Sequence, residues 1–294
     1  MAETQPTRTI SWAPHPQPDR RRRGICVVVF LIPVLLISCV GVILFLTGGR
    51  NNVVVLGLDS REAGSDLGRS DTMILTTFVP REPYLGMLSI PRDLWVIIPE
   101  YGENRINTAH FFAEADAPGS GPEAAIRTVS QNFGVDVHYY IRIRFDGFLD
   151  LVDMIDGVEI DLPVAMSGYP AGTHNLNGEQ ALAFVRDRAG SDDFYRMQRS
   201  QIFLKALWKR MLEPAIWQRF PKILPLVLKM VDTDLPLPKW ILLGVTMLRV
   251  SQDGIDSHVI TREMTHPFTT SGGAQVLSPN WEAINPILLE IFDQ

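Results

Sequence analysis

Three aspartates and two arginines lie within thirteen residues of the stretch VVVLGLDSREAGSDLGRSDTMILTTFV, residues 53–79. They are Asp59, Arg61, Asp66, Arg69 and Asp71, and they separate two apolar runs that are typical of strands. Carboxylates brought together repel each other unless one takes up a proton or a cation lies between them. Mg²⁺ commonly binds one or two carboxylates and completes its shell with water and phosphate oxygens. This loop is therefore a candidate site for a metal ion and phosphate, and the alternative is a solvated loop with surface ion pairs.

Further arginines follow in three later motifs. SIPRDLWV contains Arg92 and Asp93, and GENRINTAH contains Arg105 and Asn107. The segment NGEQALAFVRDRAGSDDFYRMQRSQ contributes Arg186, Arg188, Arg196, Arg199 and Gln201. The planar guanidinium can bind two phosphate oxygens at once, whereas lysine offers a point charge. Because the chain has no lysine before Lys205, compositional habit is an alternative explanation for the choice of arginine, as is surface salt bridging.

Other catalytic chemistries find no motif in the sequence. There is no H-E-x-x-H, no Cys/His cluster, no G-x-S-x-G elbow and no G-x-x-x-x-G-K-[ST] loop. His110, His138 and His174 are scattered, which favours structural roles for all three.

The elements that would position these residues alternate between strands and helices. Strands are predicted at 53–58, 73–79, 84–90, 138–145 and 158–162, and helices at 122–133, 146–156, 177–186 and 199–212, with a surface loop at 264–280 and a last helix from about Pro279. Asn177 is predicted to cap its helix, with Gln180 at the capping-box position. This alternation predicts an α/β fold, a layered α/β/α sandwich with a central mixed sheet.

A hydrophobic segment precedes this domain. Residues 24–46 carry no charge and are long enough to cross a bilayer as one helix, at about 1.5 Å per residue. Arg20–Arg23 flank its N-terminal end, which predicts a cytoplasmic tail at 1–23 and an extracytoplasmic domain at 47–294, including a C-terminal helical extension. A cleaved signal peptide fits less well, because the run is long and no A-x-A site follows it. Lipidation at Cys39 is a further alternative, although the residues after it stay apolar.

The distribution of charge and cysteine excludes several classes of function. The tail has a formal charge of +3, so the remainder carries −9 of the total of −6, which disfavours nucleic-acid binding. Both cysteines, Cys26 and Cys39, lie in the hydrophobic segment, so the outer domain has neither disulfide nor thiol chemistry.

Seven motifs in one order resemble the LytR–CpsA–Psr family of cell-envelope phosphotransferases. They are LGLDSR, GRSDTMIL, SIPRDLWVIIP, RINTAH, FDGFLDLVDMIDGVEIDLP, GTHNLNGEQALAFVRDR and DDFYRMQRSQ, between residue 53 and about residue 212. The resemblance implies transfer of a glycopolymer phosphate from a polyprenyl-pyrophosphate carrier to peptidoglycan at the cell membrane. The partners implied are therefore the lipid-linked glycan donor, the peptidoglycan acceptor and the membrane.

The resemblance also implies roles for individual residues. Asp59 and Asp71 would hold Mg²⁺, and Arg92 would stabilise charge in the transition state. The pyrophosphate would be bound by Arg69, Arg92, Arg186, Arg188 and Gln201. Whether Asp71, Asp59 or no protein group takes the proton of the attacking hydroxyl stays open.

Two other functions compete with this interpretation. With water as the nucleophile, the same site would be a polyprenyl-pyrophosphate phosphatase. A non-catalytic envelope sensor or regulator is the second alternative. A pure sensor has little need for metal-binding carboxylates together with a ring of arginines, and about 23 cytoplasmic residues are too few for a DNA-binding fold.

Overall fold

The chain divides after Phe45 into two compact units, and the fold described below is that of the second unit. The computed structural model describes residues 34, 35, 38, 39, 41, 42, 48–58, 66–145, 147–187, 193–251 and 254–292, the side chain of residue 193 excepted. The predicted membrane segment, 24–46, lies mostly outside these residues. Within the described ranges, no helix has the length and apolar character needed to cross a membrane.

A mixed sheet of six strands forms the centre of the second unit, in the order β10-β3-β2-β1-β6-β9. Its strands are β1 (Asn51–Leu58), β2 (Ser70–Val79), β3 (Tyr84–Ile90), β6 (Tyr139–Arg144), β9 (Val231–Thr233) and β10 (Ile255–Val259). The neighbours of β1 illustrate the mixture, because β2 runs antiparallel to it and β6 parallel. The predicted mixed α/β fold with a central sheet is confirmed.

Three two-stranded ribbons surround the sheet. They are β4 (Trp95–Ile98) with β5 (Gly102–Arg105), β7 (Val158–Leu162) with β8 (Gly172–Leu176), and β11 (Thr265–Thr269) with β12 (Gln275–Pro279). The strand predicted at 158–162 is confirmed, and it pairs in a ribbon separate from the central sheet. The surface loop predicted at 264–280 is corrected, because this segment contains a β-hairpin.

Nine helices are described in the second unit. They are α1 (Thr108–Asp116), α2 (Gly121–Phe133), α3 (Phe148–Met154), α4 (Gly178–Arg186), α5 (Asp193–Met211), α6 (Pro214–Trp217), α7 (Phe220–Met230), α8 (Leu237–Arg249) and α9 (Trp281–Phe292). The capping box of α4 is confirmed, because Asn177 accepts a hydrogen bond from the Gln180 amide and the Gln180 side chain accepts one from Asn177 N. Helix α5 begins six residues earlier than predicted.

Alternate residues of the strands bury opposite faces of the sheet. Val54, Leu56 and Leu75 face a core built with α2 and α9. Ser89 points to the other face, where Gln201 of α5 bonds to its hydroxyl. A second core joins α3, α4, α5 and the β7–β8 ribbon away from the central strands.

Candidate functional site

Asp71 lies at the end of the central sheet at which β1 ends and β2 begins. Leu58, the last residue of β1, pairs with Ser70. Ile90, the last residue of β3, pairs with Met73, so the segment that leaves β3 passes beside the start of β2. This register brings Arg92 to Asp71, and their side chains form an ion pair with Nη1–Oδ1 at 3.3 Å.

Arg92 is held between two carboxylates. Its Nε lies 3.5 Å from Asp93 Oδ2, and Asp93 Oδ1 lies 3.0 Å from Arg105 Nε. Arg92 and Asp71 are both partly exposed, which leaves the pair accessible to an anionic ligand. A guanidinium fixed in this way is suited to stabilising charge on a phosphate, because little reorganisation is needed when the charge develops.

Asn107 joins the segments that carry these charges. Its backbone N donates to Arg92 O, and its backbone O accepts from Ser70 N. Its side-chain Nδ2 donates to Asp71 Oδ1 at 3.5 Å, while its Oδ1 is buried and has no hydrogen-bond donor among the described residues. An orphaned amide oxygen is rare in a protein interior, and it is a ligand that a hard cation accepts.

The oxygen atoms at this end of the sheet are therefore of the types that bind a Mg²⁺ ion. The Asp71 carboxylate and the Asn107 amide oxygen are both hard donors, and a carboxylate has lone pairs left after binding Arg92. Asp59, the second predicted metal ligand, lies outside the described residues.

Helix α5 contributes two buried arginines that bond to backbone carbonyls. Arg196 donates from Nη2 to Asp71 O at 2.7 Å, and Arg199 donates to Asp187 O. Arg196 therefore fixes the backbone of Asp71. Arg196 and Asn107 lie in arginine-containing motifs of the sequence, but only their contacts with Asp71 indicate a role in the site.

The other predicted phosphate ligands lie in different surroundings. Arg69 is exposed two residues before Asp71, and its carbonyl accepts from Asp71 N. Arg186 is exposed at the end of α4, with its guanidinium 5.0 Å from the centre of the Phe145 ring. Arg188 lies outside the described residues. The assignment of these arginines to phosphate stays a prediction.

Gln201 is buried against β3 and β10. Its Nε2 donates to Ser89 Oγ and to the carbonyl of His258, and its Oε1 accepts from Ser257 Oγ. These bonds tie α5 to β3 and β10. A phosphate contact would require Gln201 to give them up, so its predicted role in binding pyrophosphate gains no support from this geometry.

Asp66, also in the charged loop, has a different role from Asp71. It pairs with Arg142 at 3.1 Å and with Arg144 at 2.7 Å, both on β6. Arg142 is almost fully buried, and it also pairs with Asp232 at 2.6 Å and Glu114 at 3.6 Å. This network fixes the loop to the sheet just before Asp71.

His110 completes the attachment of the loop. Its Nδ1 lies 3.1 Å from Gly68 O, and Arg142 Nη1 lies 3.4 Å from its Nε2. Arginine can only donate, so His110 is neutral, with Nε2 accepting and Nδ1–H donating. Burial, reinforced by the positive charge of Arg142, lowers the pKa of His110 below its usual value.

Protonation of His110 should make the protein less stable in acid. The unfolded chain binds a proton near pH 6.5, whereas the folded chain does so only at lower pH, so stability is lost as the pH falls below about 6.5. We expect the melting temperature to decrease less between pH 7.5 and 5.5 in His110→Gln than in the unsubstituted protein. Thermal unfolding followed by circular dichroism measures this. His266→Gln, which removes an exposed histidine, is the control and should keep the original slope; an equal slope in His110→Gln would contradict the assignment.

A second group of potential metal ligands lies at the sheet edge formed by β10. Ligand atoms of Asp256, His258 and Glu290 are within 4.8 Å of one another. Asp256 is already paired with His258 at 2.6 Å and accepts from Tyr84 Oη at 2.9 Å, and Lys205 interacts with it electrostatically. We therefore infer that this group serves the packing of α5 and α9 against β3 and β10.

The sequence that contains Asp71, Arg92 and Asn107 matches a known protein family. The family model of the LytR_cpsA_psr family matches residues 43–285. This chain belongs to the LytR–CpsA–Psr family. The match includes every described residue of the site, so the resemblance carried by the seven motifs is confirmed.

Individual members of the LytR–CpsA–Psr family are similar over most of the chain. Polyisoprenyl-teichoic acid–peptidoglycan teichoic acid transferase TagU of Oceanobacillus iheyensis is 32% identical over 246 residues, 82% of this chain and 74% of that protein. Regulatory protein MsrR of Staphylococcus aureus is 30% identical over 196 residues, 64% of this chain and 57% of that protein. The crystal structure of TagV from Bacillus subtilis superimposes with a TM-score of 0.66 at 24% identity, covering 84% of this chain and 98% of TagV. At that identity the superposition establishes the fold.

Proposed function

We propose that this protein is a membrane-anchored phosphotransferase that moves a glycopolymer phosphate from a polyprenyl-pyrophosphate carrier to peptidoglycan. The observation that supports it best is the ion pair of Arg92 with Asp71 beside the orphaned oxygen of Asn107, at the strand ends where α/β proteins bind ligands. Membership of a family that includes a transferase named for this reaction supports the choice of substrate. The uncharged segment 24–46 supports a location at the membrane.

The proposed reaction is a displacement at phosphorus. An acceptor sugar hydroxyl attacks the phosphorus that carries the glycan and forms a new P–O bond. The bond from this phosphorus to the bridging oxygen breaks, and polyprenyl phosphate leaves with the electron pair. The proton of the hydroxyl is released to solvent, directly or through Asp59 or Asp71. Phosphoryl transfer of this kind relies on positioning and on electrostatic stabilisation.

The residues of the candidate site have different roles in this reaction. Arg92 would bind the pyrophosphate oxygens and stabilise the charge that gathers on them, and Asp93 with Arg105 holds its guanidinium in place. Asp71 and Asn107, together with Asp59, would hold Mg²⁺, which neutralises phosphate charge when bound. Arg196 orients Asp71 through its backbone carbonyl. Exposed Arg69 and Arg186, and Arg188, would complete the binding of the donor phosphates.

The first test measures release of polyprenyl phosphate by the full-length protein in detergent, from a short-chain polyprenyl pyrophosphate that carries a sugar, in the presence of Mg²⁺. We expect Asp71→Asn to lower the rate by about 100-fold or more, because the site loses a charged ligand for the metal. Asp161→Asn, which changes an exposed carboxylate on β7, should keep full activity. Chelation of divalent cations should abolish release in the unsubstituted protein.

The outcomes separate the candidate functions. Release that requires a glycan acceptor establishes transfer, whereas equal release into water alone identifies a phosphatase. Binding of the lipid without turnover, alike in Asp71→Asn and the unsubstituted protein, would overturn the catalytic proposal. That result would favour a regulatory role such as the name of MsrR states for that protein.

A further inference from the structure

Helix α8 carries an apolar stripe that is exposed to solvent. Leu237, Ile241 and Leu248 have exposed fractions of 72%, 59% and 59%, and Gly244 lies between them on the same side, with open space around it. The spacing of four, three and four residues places all four on one face of the helix. Leu242 and Thr246, on another face, are buried. Apolar residues on two faces of a surface helix indicate that something covers the exposed one.

The position of α8 in the fold indicates what covers it. Before the helix, Asp234 accepts a hydrogen bond from Tyr140 N at the start of β6. At its end, Arg249 donates to the carbonyl of Pro80, which follows β2. Because β1 lies between β6 and β2 in the sheet, α8 passes the end of the sheet at which β1 begins.

The chain reaches this end of the sheet directly from its hydrophobic segment. Only residues 47–50 separate the uncharged segment 24–46 from β1, and four residues extend over about 15 Å at most. If the segment crosses the membrane, the end of the sheet beside α8 must lie close to the bilayer surface. The candidate site is at the opposite end of β1 and stays open to solvent, since Leu58 pairs with Ser70 there and Asn51 pairs with Phe78 here.

The charge of this region is suited to an anionic lipid surface. All lysines of the chain fall between Lys205 and Lys239, although the protein as a whole carries −6. Helix α8 itself has no acidic residue, and it ends at the exposed Arg249. A helix with exposed apolar residues and flanking basic ones is typical of segments that lie in the plane of a membrane interface.

We propose that α8 docks on the surface of the membrane, with Leu237, Ile241 and Leu248 inserted among the headgroups of a phospholipid bilayer that contains anionic lipid. Arg249, which is exposed at the end of the helix, binds a headgroup. The domain thereby has a second attachment besides its N-terminal segment, which fixes its orientation above the bilayer. This inference does not depend on the chemistry of the candidate site.

The test places a fluorescent label on the exposed face of α8 in the full-length protein. Cys26→Ala and Cys39→Ala remove the native thiols, and Ile241→Cys introduces one for an environment-sensitive dye. The matched control is Ile97→Cys on β4, an apolar side chain with a similar exposed fraction of 50%. Both proteins are reconstituted in vesicles of phosphatidylcholine and phosphatidylglycerol that contain nitroxide-labelled lipid.

We expect the emission of the label at residue 241 to shift to the blue. We also expect nitroxide lipid to quench this label at least about threefold more strongly than the label at residue 97. Vesicles of phosphatidylcholine alone should give less of this quenching than vesicles that contain phosphatidylglycerol. Equal quenching at both positions would overturn the proposal. Energy transfer between labels at residue 241 on different copies, lost on dilution into excess lipid, would also overturn it and assign the stripe to a second copy of the chain.

Discussion

Replacement of Arg92 with alanine is expected to lower the rate of polyprenyl phosphate release by about 100- to 1,000-fold, the loss typical of removing one preorganised charge-stabilising donor. The reason is geometric. Arg92 contacts the Asp71 side chain directly, at 3.3 Å, and Asp93 holds it from the other side. Stabilisation of a transition state depends on donors that are already in place before the charge develops.

The comparison of Arg92→Ala with Arg92→Lys separates charge from shape. Lysine keeps the positive charge but cannot bind two phosphate oxygens with one planar group, so we expect an intermediate rate. Single-turnover measurements at saturating donor isolate the chemical step from binding. Arg127→Ala, which removes an exposed arginine paired with Glu100, should be fully active. An Arg92→Ala protein that folds normally and reacts at the unsubstituted rate would exclude Arg92 from catalysis.

The second large effect concerns stability. Arg142→Met is expected to reduce the free energy of unfolding by about 3–5 kcal/mol, the range found when one partner of a buried ion pair is removed. Arg142 is almost completely buried, and its loss would remove the cation paired with Glu114 and Asp232 and would leave Asp66 paired with Arg144 alone. Methionine has a similar length, so the missing charge rather than a cavity dominates the effect.

Chemical denaturation of the full-length protein in detergent measures this change. Arg127→Met is the matched control, because its exposed pair with Glu100 contributes less than about 1 kcal/mol. We also expect Arg142→Met to lower activity, since Asp66 would hold the loop that leads to Asp71 through Arg144 alone. Unchanged stability in Arg142→Met would mean that the three carboxylates find other partners.

Local patterns in the sequence were sufficient to predict much of the regular structure. The apolar runs that became β1, β2 and β3 were predicted within three residues, and the capping box at Asn177 was correct, because each depends on neighbouring residues only. The edge strands β9 and β10 were missed. Strand β9 has three residues, and β10 has the polar sequence IDSHV, so neither shows the apolar alternation that identifies a strand.

The sequence by itself determined the family, the class of fold and the types of residue that serve the candidate site. It did so because seven motifs and the alternation of strands and helices are properties of the linear chain. Only the tertiary structure determined which charged residues form ion pairs with each other. Asp66 and Asp71 lie five residues apart in one loop, yet Asp66 pairs with arginines of β6 and Asp71 with Arg92 after β3. Their partners are 21 to 78 positions away in the chain, and the register of the sheet, which no local pattern encodes, selects among them.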